Sequence, residues 1–597
     1  MKKVLSIVLV LCMILSLAAC SKTENEPADK NTVTDAPVVD TGDDEKKDPV
    51  ATQAPAEPTP TDVPVEIIED KDEIKELTGG LLVDGKFPET VNLDVEVYDR
   101  GGATPASDNM YTDFIKKSVL EKYNIAVNFV AVDRWTEVDQ INNLLAATDA
   151  PDICYSYDYN TVMAYADMGG ISDMSEWLTD EYKGLFPNLW NWLGSAGMNY
   201  HKDNETGTIY AIEGKRNEEW RINTFVRQDW LDALGLAAPT TTQEFEDMLV
   251  AFKDNADKLL GADASKIVPY GVTYDVGWTA ANLIESKIDP EITDEDLYVY
   301  GYDDRKLLVP GTKDAIKLLN KWYNQGLLWN DFALYTSGDN TFDDMLKAGY
   351  VGAFTQNYDY PFRDAENSIN YQLKTLVGEN AKFVAVDAFE DSKGTHTKYL
   401  YNTVGTDRKI FFPSTNENIL ASLLYLDWIS DAANVQYLQI GDEGITHTVG
   451  EDGTIFIQAP DEDHVANTIN SSNNIDYTMT TNGLRLATPE DTYKSKAYSY
   501  ANVDPEDVVN SMTVAMNDGK TPEAPNGITI DAETGMGSSL SALRDVCYDK
   551  AVRCSEADFD ATWDACMADY LAAGGQDIID ERQEKWDATY GDAVMLP

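Results

Sequence analysis

The chain has 597 residues, and 46 lysines and arginines stand against 104 aspartates and glutamates, a formal net charge of −58. This excess of acid repels nucleic acid and anionic lipid, so neither is an expected partner. It also argues against polyanionic substrates such as uronate polymers, unless a local basic pocket exists. Hydrophobic residues make up 43% of the chain, an ordinary share for a folded protein, and the length predicts two or three domains.

The first twenty residues have the features of an export signal. Two lysines precede an uncharged, mostly apolar run, 4–17, which is too short to span a bilayer as a helix. Two alanines then stand before Cys20, and this arrangement resembles the lipobox of bacterial lipoproteins. The resemblance implies a signal peptide over 1–19 and a diacylglycerol on Cys20, whose two chains give a stable anchor. An ordinary signal peptide with a chance cysteine is the alternative.

The segment after Cys20 has the composition of a tether. Residues 21–61 contain no aromatic residue and no Leu, Ile or Met, and they are rich in Pro, Thr, Ala, Asp and Glu. Such a segment cannot bury enough apolar surface to offset the entropy of ordering it. We therefore predict that 20–80 comprises the lipidated cysteine and a disordered acidic linker. The linker holds the folded body at the extracellular face of the cell membrane, and the lipid is the only membrane attachment expected.

The folded body begins with alternating strand and helix patterns. The predicted elements are a strand over 91–98, a helix over 111–122, a strand over 125–132, a helix over 135–147 and a short strand over 152–155. This βαβαβ order predicts a parallel sheet with helices on both faces. Ligands of such sheets bind beyond the carboxyl ends of the strands, so the loops that follow the three strands are candidate binding loops.

Seven short segments, spread over most of residues 90–590, carry a family resemblance. They read LLAATDAPDI (144–153), GTIYAI (207–212), RQDWLDALGL (227–236), PTT (239–241), WYNQGLL (322–328), KAGYVGA (347–353) and GDEG (441–444). In this order they resemble segments of the family 1 extracellular solute-binding proteins, the receptors of carbohydrate ABC importers, of which maltose-binding protein is a member. The length and the separate tryptophan-rich segments are most similar to the long lipoprotein subfamily of Gram-positive bacteria.

The resemblance implies an α/β protein of the periplasmic-binding-protein type II fold, with two α/β lobes joined by a hinge. It places 81–220 and 356–433 in the first lobe, and 221–355 and 434–597, with the C-terminal helices, in the second. It implies a receptor that captures a carbohydrate, most simply an oligosaccharide, between the lobes and delivers it to the permease subunits of an ABC importer. A monomer without a cofactor or metal is expected.

Sugars present flat C–H faces and rings of hydroxyl groups, which aromatic platforms and carboxylate, amide or arginine groups bind. The family resemblance implies that Asp158 is a hydroxyl acceptor, Trp278 a platform and Asp275 a second acceptor, and that Tyr358 or Tyr360 supplies a stacking ring. The full set of candidate ligand-binding residues is Arg100, Trp135, Tyr155, Tyr157, Asp158, Trp220, Arg221, Tyr274, Asp275, Trp278, Tyr358, Tyr360 and Glu443. Because aromatic residues of α/β proteins are often core, each ring has a structural alternative.

Two other functions fit the sequence: a secreted carbohydrate-active enzyme, and a receptor for a peptide or other solute on the same fold. Against the enzyme, no GxSxG or HExxH motif is present, and none of the four histidines stands at metal-ligand spacing. The acidic run 294–296 lacks the glycine of a calcium loop. Near the C-terminus the sequence leaves open whether Cys554 and Cys566 are bridged or whether the thiols there are free.

Overall fold

The structure is a computed structural model that describes residues 64–590, apart from 102–104, 204–205, 336–338, 364, 402–404, 406, 459–471, 487, 523 and 525–527. The predicted signal peptide, the lipidation site Cys20 and the linker up to residue 63 lie outside the described residues.

The strands are β1 (Val91–Asp99), β2 (Ile125–Asp133), β3 (Cys154–Ser156), β4 (Ile212–Glu213), β5 (Lys215–Arg216), β6 (Ile222–Arg227), β7 (Val268–Gly271), β8 (Val351–Asn357), β9 (Phe383–Val386), β10 (Lys398–Tyr399), β11 (Lys409–Phe411), β12 (His447–Val449), β13 (Ile455–Ile457), β14 (Thr481–Asn482) and β15 (Gly519–Lys520).

The α-helices are α1 (Lys71–Leu77), α2 (Met110–Tyr123), α3 (Glu137–Ala147), α4 (Tyr159–Asp167), α5 (Pro187–Met198), α6 (Gln228–Leu234), α7 (Thr242–Asp254), α8 (Ala256–Leu260), α9 (Val276–Thr279), α10 (Ala281–Lys287), α11 (Asp294–Tyr300), α12 (Thr312–Asn324), α13 (Thr341–Lys347), α14 (Ile369–Leu376), α15 (Ile419–Ser430), α16 (Ala432–Ile440), α17 (Ser472–Tyr477), α18 (Pro489–Lys496), α19 (Pro505–Met516), α20 (Gly537–Arg553), α21 (Phe559–Tyr570) and α22 (Gln576–Tyr590).

Lobe 1 consists of the described residues of 82–216 and 407–486. Strands β1 and β2 are parallel and in register from Val91↔Ile125 onward, and a parallel bridge joins Val95 to Ile153. Asn109 forms a capping box at the start of α2, and Asn124 ends that helix in the left-handed conformation, so the chain turns directly into β2. The predicted βαβαβ order is confirmed. The core of this lobe also takes in α15, whose apolar residues are buried all round.

Lobe 2 consists of the described residues of 222–386 and 528–590. Its mixed sheet has the order β7-β8-β6-β9, in which β7 and β8 are parallel and β6 is antiparallel to both of its neighbours. Helices α20 and α21 pack on this core. The C-terminal apolar face of Phe559, Trp563, Cys566 and Tyr570 is at most 5% exposed, because these residues recur at helical spacing on α21.

The crossings between the lobes correct two predicted boundaries. The chain leaves lobe 1 between β5 and β6, at 217–221. The predicted return at 356 is wrong, because β8 and β9 both pair with β6 in the lobe 2 sheet, and the chain re-enters lobe 1 only at β11. The predicted crossing at 434 is also too early, because α16, α17 and β14 belong to lobe 1, where β14 pairs with β5. Residues 488–520 follow at the junction.

The predicted linker is too long at its C-terminal end. The backbone N–H of Val65 donates to the side chain of Asn191 at 2.7 Å, and that of Ile68 donates to the carbonyl of Gly184 at 3.0 Å. Asp70 caps α1 by accepting from two backbone N–H groups. Val65 and Ile68 also pack on the lobe 1 core, so residues 64–80 are folded against this lobe.

The described cysteines, Cys154, Cys547, Cys554 and Cys566, are free thiols, which settles the open pairing of Cys554 and Cys566. Over the described ranges, no helix combines the length and the apolar character needed to cross a membrane.

Candidate functional site

The lobe 1 side of the site is formed where the parallel strands end. Arg100 follows β1, Arg134 follows β2 and Tyr157 follows β3. The Arg134 guanidinium lies 4.7 Å from the centroid of the Tyr157 ring and 5.0 Å from that of Tyr98, within cation–π range. The candidate loops therefore meet, as expected for the carboxyl ends of a parallel sheet.

Beneath these loops is a buried triad of Arg100, Asp476 and Arg408. The Arg100 guanidinium donates twice to the Asp476 carboxylate, at 2.7 and 3.0 Å, and Nη2 of Arg408 donates to it at 2.9 Å. The side chains of Asp476 and Arg408 have no solvent exposure. Burial opposes the charged form, but the hydrogen bonds and charge of Asp476 raise the pKa of Arg100 above its ordinary value. The triad fixes the loop after β1 against α17.

The lobe 2 side is centred on Trp278. Its ring centroid is 4.7 Å from the Arg305 guanidinium and 5.3 Å from that of Arg221, and its indole N–H donates to Gln356. Asp304 joins the two arginines, with contacts of 2.9 Å to Arg221 and 2.7 Å to Arg305. Desolvation works against its ionisation, yet the charges of these two arginines hold the pKa of Asp304 well below its ordinary value.

Tyr401 connects the two sides across the junction. The guanidinium of Arg221 lies 4.0 Å from its ring centroid and that of Arg216 lies 4.2 Å from it. Arg216 is paired with Asp407 at 3.4 Å. The side-chain amide of Asn482 then donates to Asp407 at 2.8 Å and reaches the Tyr157 hydroxyl at 3.5 Å. A continuous series of contacts thus runs from lobe 1 to lobe 2.

We call this series the arginine belt. It comprises six of the twelve arginines of the chain, each paired with a carboxylate, together with rings from both lobes. Its members are Arg100, Arg134, Arg216, Arg221, Arg305 and Arg408, the carboxylates of Glu137, Asp275, Asp304, Asp407 and Asp476, and the rings of Tyr98, Trp135, Tyr157, Trp278 and Tyr401.

Two of the predicted ligand-binding tyrosines, Tyr155 and Tyr358, are buried in the structure. Tyr155 is fully buried, and its hydroxyl accepts from the backbone N–H of Tyr98 at 3.2 Å. Tyr358 is 4% exposed, and its hydroxyl donates to Glu218 at 2.7 Å. Trp220 is half-buried and makes edge contacts with Tyr358 and Tyr493 beside the junction.

The predicted acceptors are used within the chain. Asp158 caps α4, accepting from the backbone N–H of Thr161 at 3.2 Å and from its hydroxyl at 2.9 Å. Asp275 caps α9 and is held by the Arg305 guanidinium at 2.8 Å. A capping or paired carboxylate keeps other lone pairs, so neither group is excluded from accepting a ligand hydroxyl.

The remaining predicted residues are distributed around the belt. Trp135 is 69% exposed, directly after β2, with its ring 5.5 Å from the Arg134 guanidinium. Tyr274 is half-exposed in the loop before α9. Tyr360 donates to Asp343 within lobe 2. Glu443 is exposed in the turn before β12, and no described contact joins it to the belt.

Sequence reasoning missed Arg134, Arg216, Arg305 and Tyr401. Arginine is rare in this acidic chain, and two of the belt arginines adjoin a tryptophan in sequence, as Arg134-Trp135 and Trp220-Arg221. That scarcity was a usable signal. Over the described residues, no group of three or more His, Cys, Asp or Glu side chains is placed to hold a metal ion. The acidic run 294–296 forms the first turn of α11.

Comparison of sequences finds two curated relatives in Bacillus subtilis. Lipoprotein LipO is 23% identical over 318 residues, 48% of this chain and 58% of the relative. The polygalacturonan/rhamnogalacturonan-binding protein YtcQ is 23% identical over 352 residues, 57% of this chain and 64% of the relative. The match thus spans about three fifths of the length of each relative, and no family model matches the chain.

Comparison with solved structures identifies the fold. The alginate-binding protein AlgQ2 superposes with a TM-score of 0.59 over 84% of this chain and 98% of that chain, at 15% identity. An EF-hand mutant of the substrate-binding protein FusA of S. pneumoniae, in complex with fructo-nystose, gives a TM-score of 0.59 over 84% of this chain and 100% of that chain, at 14% identity. A solute-binding protein of Bifidobacterium longum infantis gives 0.56 over 84% and 98%, at 16% identity.

This chain has the solute-binding-protein fold. The predicted fold class, two α/β lobes joined by a hinge, is confirmed. In this solute-binding-protein fold the arginine belt occupies the junction of the lobes, where the chain passes between them.

Proposed function

We propose that the protein is an extracellular receptor that captures a carbohydrate, most simply an oligosaccharide, between its two lobes and delivers it to an ABC importer. The observation that carries the proposal is the arginine belt, whose contacts run without a break from Tyr157 in lobe 1 through Tyr401 to Trp278 in lobe 2. A solute held along this belt contacts both lobes at once.

The chemistry of the belt matches that of a sugar. The exposed ring of Trp135 offers a face for the C–H surface of a pyranose or furanose ring, and the half-buried rings of Tyr157, Tyr401 and Trp278 line the site between the arginines. Each arginine keeps N–H groups beyond those used by its carboxylate partner, and each carboxylate keeps lone pairs. Hydroxyl groups both donate and accept, so a row of such pairs suits a polyhydroxylated ligand.

The proposed mechanism is a conformational change and not a chemical reaction. A solute that contacts both lobes binds the closed form better than the open form and shifts the equilibrium by that difference in affinity. A direct contact between the lobes supports such a movement. Asn160 of α4 donates to Glu533 at 2.7 Å and accepts from the backbone N–H of Ile530 at 3.1 Å, and both partners belong to lobe 2.

The cellular setting is part of the proposal. We place the protein at the outer face of the cell membrane, anchored through lipid on Cys20, as a monomer that presents its closed form to permease subunits. The name of the relative LipO, a lipoprotein, and the names of the fold relatives, substrate-binding proteins of ABC transporters, support this setting. A tether raises the effective concentration of receptor at its membrane partner.

Isothermal calorimetry tests the proposal on the soluble form that begins after Cys20. The panel contains hexamers of β-1,4-glucose, β-1,4-mannose, α-1,4-glucose, β-2,1-fructose, galacturonate and mannuronate, with a random hexapeptide pool as a separate arm. The expected result is binding of one saccharide class at a 1:1 ratio, with the saccharide recovered intact. Steady release of shorter products indicates the enzyme instead, and binding of peptides alone indicates the other receptor. Either result overturns the proposal.

A further inference from the structure

The belt contains many arginines in a strongly acidic chain, so its net charge bears on which ligands it can bind. Arg134 is paired with Glu137, Arg216 with Asp407, and Arg100 and Arg408 share Asp476. Arg221 and Arg305 are paired with Asp304 and Asp275. Six guanidinium groups therefore face five carboxylates.

A sixth carboxylate completes the balance. Glu219 is exposed beside Trp220, and its backbone carbonyl accepts from the N–H of Tyr401 at 2.9 Å, which places it next to the central ring of the belt. It forms no ion pair with any described residue. Partial desolvation of its carboxyl group raises the pKa of Glu219 above its ordinary value. Counted together with Glu219, the belt holds six cationic and six anionic side chains, a formal net charge of zero.

The lysines next to belt arginines in sequence do not change this balance, and one of them, Lys306, is paired with Glu285 at 3.1 Å. From residue 64 onward, the residues that the structure leaves undescribed include no lysine or arginine, so no cation is hidden there. Lys409 is buried against Glu213, at 3.5 Å. Lys215 precedes Arg216 on β5, and successive strand residues point to opposite faces. Its ammonium group lies 4.7 Å from the ring centroid of Trp192, which belongs to α5 and not to the belt.

We propose that the ligand of this site is a neutral oligosaccharide and that uronates are rejected, an inference that rests on the proposed function. A carboxylate on C6 of a sugar needs a cation with no nearer partner, and every described arginine in the belt already has one. Placed among Asp275, Asp304 and Asp407, such a group meets like charges. A neutral hydroxymethyl group finds donors and acceptors there without this repulsion.

The test begins with the tightest binder of the hexamer panel and with the product of selective oxidation of its C6 hydroxymethyl groups to carboxylates. Both are titrated into the same receptor at about 50 and 500 mM salt. We expect the oxidised form to bind at least about a hundredfold more weakly, as one uncompensated like charge at a few ångström costs in a partly desolvated site. We also expect the affinity of the neutral form to vary less than about twofold with salt, since it adds no charge to be screened.

A charge-altering variant provides the second measurement. Asp304→Asn leaves Arg221 and Arg305 with one carboxylate fewer, so the penalty for the oxidised ligand should shrink by about tenfold or more. Glu379→Gln removes the same charge from an exposed pair with Lys374 on lobe 2 and is the matched control, with no change expected. Circular dichroism confirms that both variants are folded.

The results separate the two levels of inference. If a uronate hexamer is the tightest binder, or if oxidation leaves the affinity unchanged or improves it, the neutral-ligand proposal is wrong while the receptor stands. If no saccharide of the panel binds, the proposed function fails and this inference fails with it. An equal response of Asp304→Asn and Glu379→Gln also overturns the assignment of the belt as the source of the selectivity.

Discussion

Replacing Asp476 by Asn tests whether the buried triad depends on a single negative charge. In the native protein Arg408 is fully buried and its strong contact is the 2.9 Å hydrogen bond to Asp476. Its two other side-chain hydrogen bonds, to the carbonyls of Met479 and Thr481, are long, at 3.5 Å each. The variant therefore leaves a buried guanidinium beside a neutral amide.

The expected loss of stability is about 3–5 kcal/mol, the usual result of removing one partner of a buried ion pair. For a lobe of this size, each kcal/mol corresponds to roughly 2–4 °C, so the lobe 1 transition should fall by about 10 °C. Differential scanning calorimetry without ligand measures it. Asp84→Asn is the control, because its contact with Lys71 is 3.6 Å long and largely exposed, and a change of less than about 1 kcal/mol is expected.

A second substitution shows whether the unpaired charge is the cause. Adding Arg408→Met to Asp476→Asn removes the buried cation while keeping a long side chain, so part of the lost melting temperature should return. If Asp476→Asn melts within about 1 °C of the native protein, or if the double variant melts lower than the single one, our reasoning about the triad is refuted.

Three further predictions concern binding, closure and pH. Trp135→Ala should weaken binding of the tightest saccharide about tenfold at an unchanged melting temperature, because the ring is 69% exposed. Met168 is 74% exposed in the same lobe, so Met168→Ala should change neither the affinity nor the melting temperature. Equal affinities of the two variants would show that Trp135 is not part of the site. Asn160→Ala removes both hydrogen bonds to Glu533 and Ile530, so X-ray scattering without ligand should give a larger radius of gyration, and an unchanged value contradicts the closure contact. Burial raises the pKa of Asp427 from 3.8 to about 6, so between pH 4 and 6 the folded form holds a proton that the unfolded form has lost. The free energy of unfolding should therefore fall as the pH rises through this range. In urea titrations, Asp427→Asn should make that fall smaller.

Local patterns predicted the first half of lobe 1 well. The alternation of apolar residues gave β1 and β2 nearly to their ends, and helical spacing gave α2 and α3, because each of these elements buries one face of its own sequence. The same logic located the loops after β1, β2 and β3 at one edge of the sheet. The lobe boundaries were harder, since a buried strand reads alike whether it crosses the hinge or stays in one sheet, as β8 does.

How well a site residue could be predicted depends on how far along the chain its partners lie. Tyr155 and Tyr157 are two positions apart, yet one is inside the core and the other faces Arg134, because β3 ends between them and the chain turns into α4. No local sequence pattern predicts that turn. The partner of Arg100 is 376 positions away, and no local pattern connects them. A pairing of this kind becomes visible only in three dimensions.

That separation has a consequence for the order in which the protein takes shape. The core of lobe 1 joins β1 to α17, so it stays incomplete until residue 476 of 597 has been made. Lobe 2 draws on residues up to Ile578 and is incomplete for longer still. Contacts so remote along the chain close slowly, because a long loop must first be ordered. The polypeptide therefore emerges with little finished tertiary structure, which agrees with the extracellular location that we propose, since an exported chain crosses the membrane before it folds.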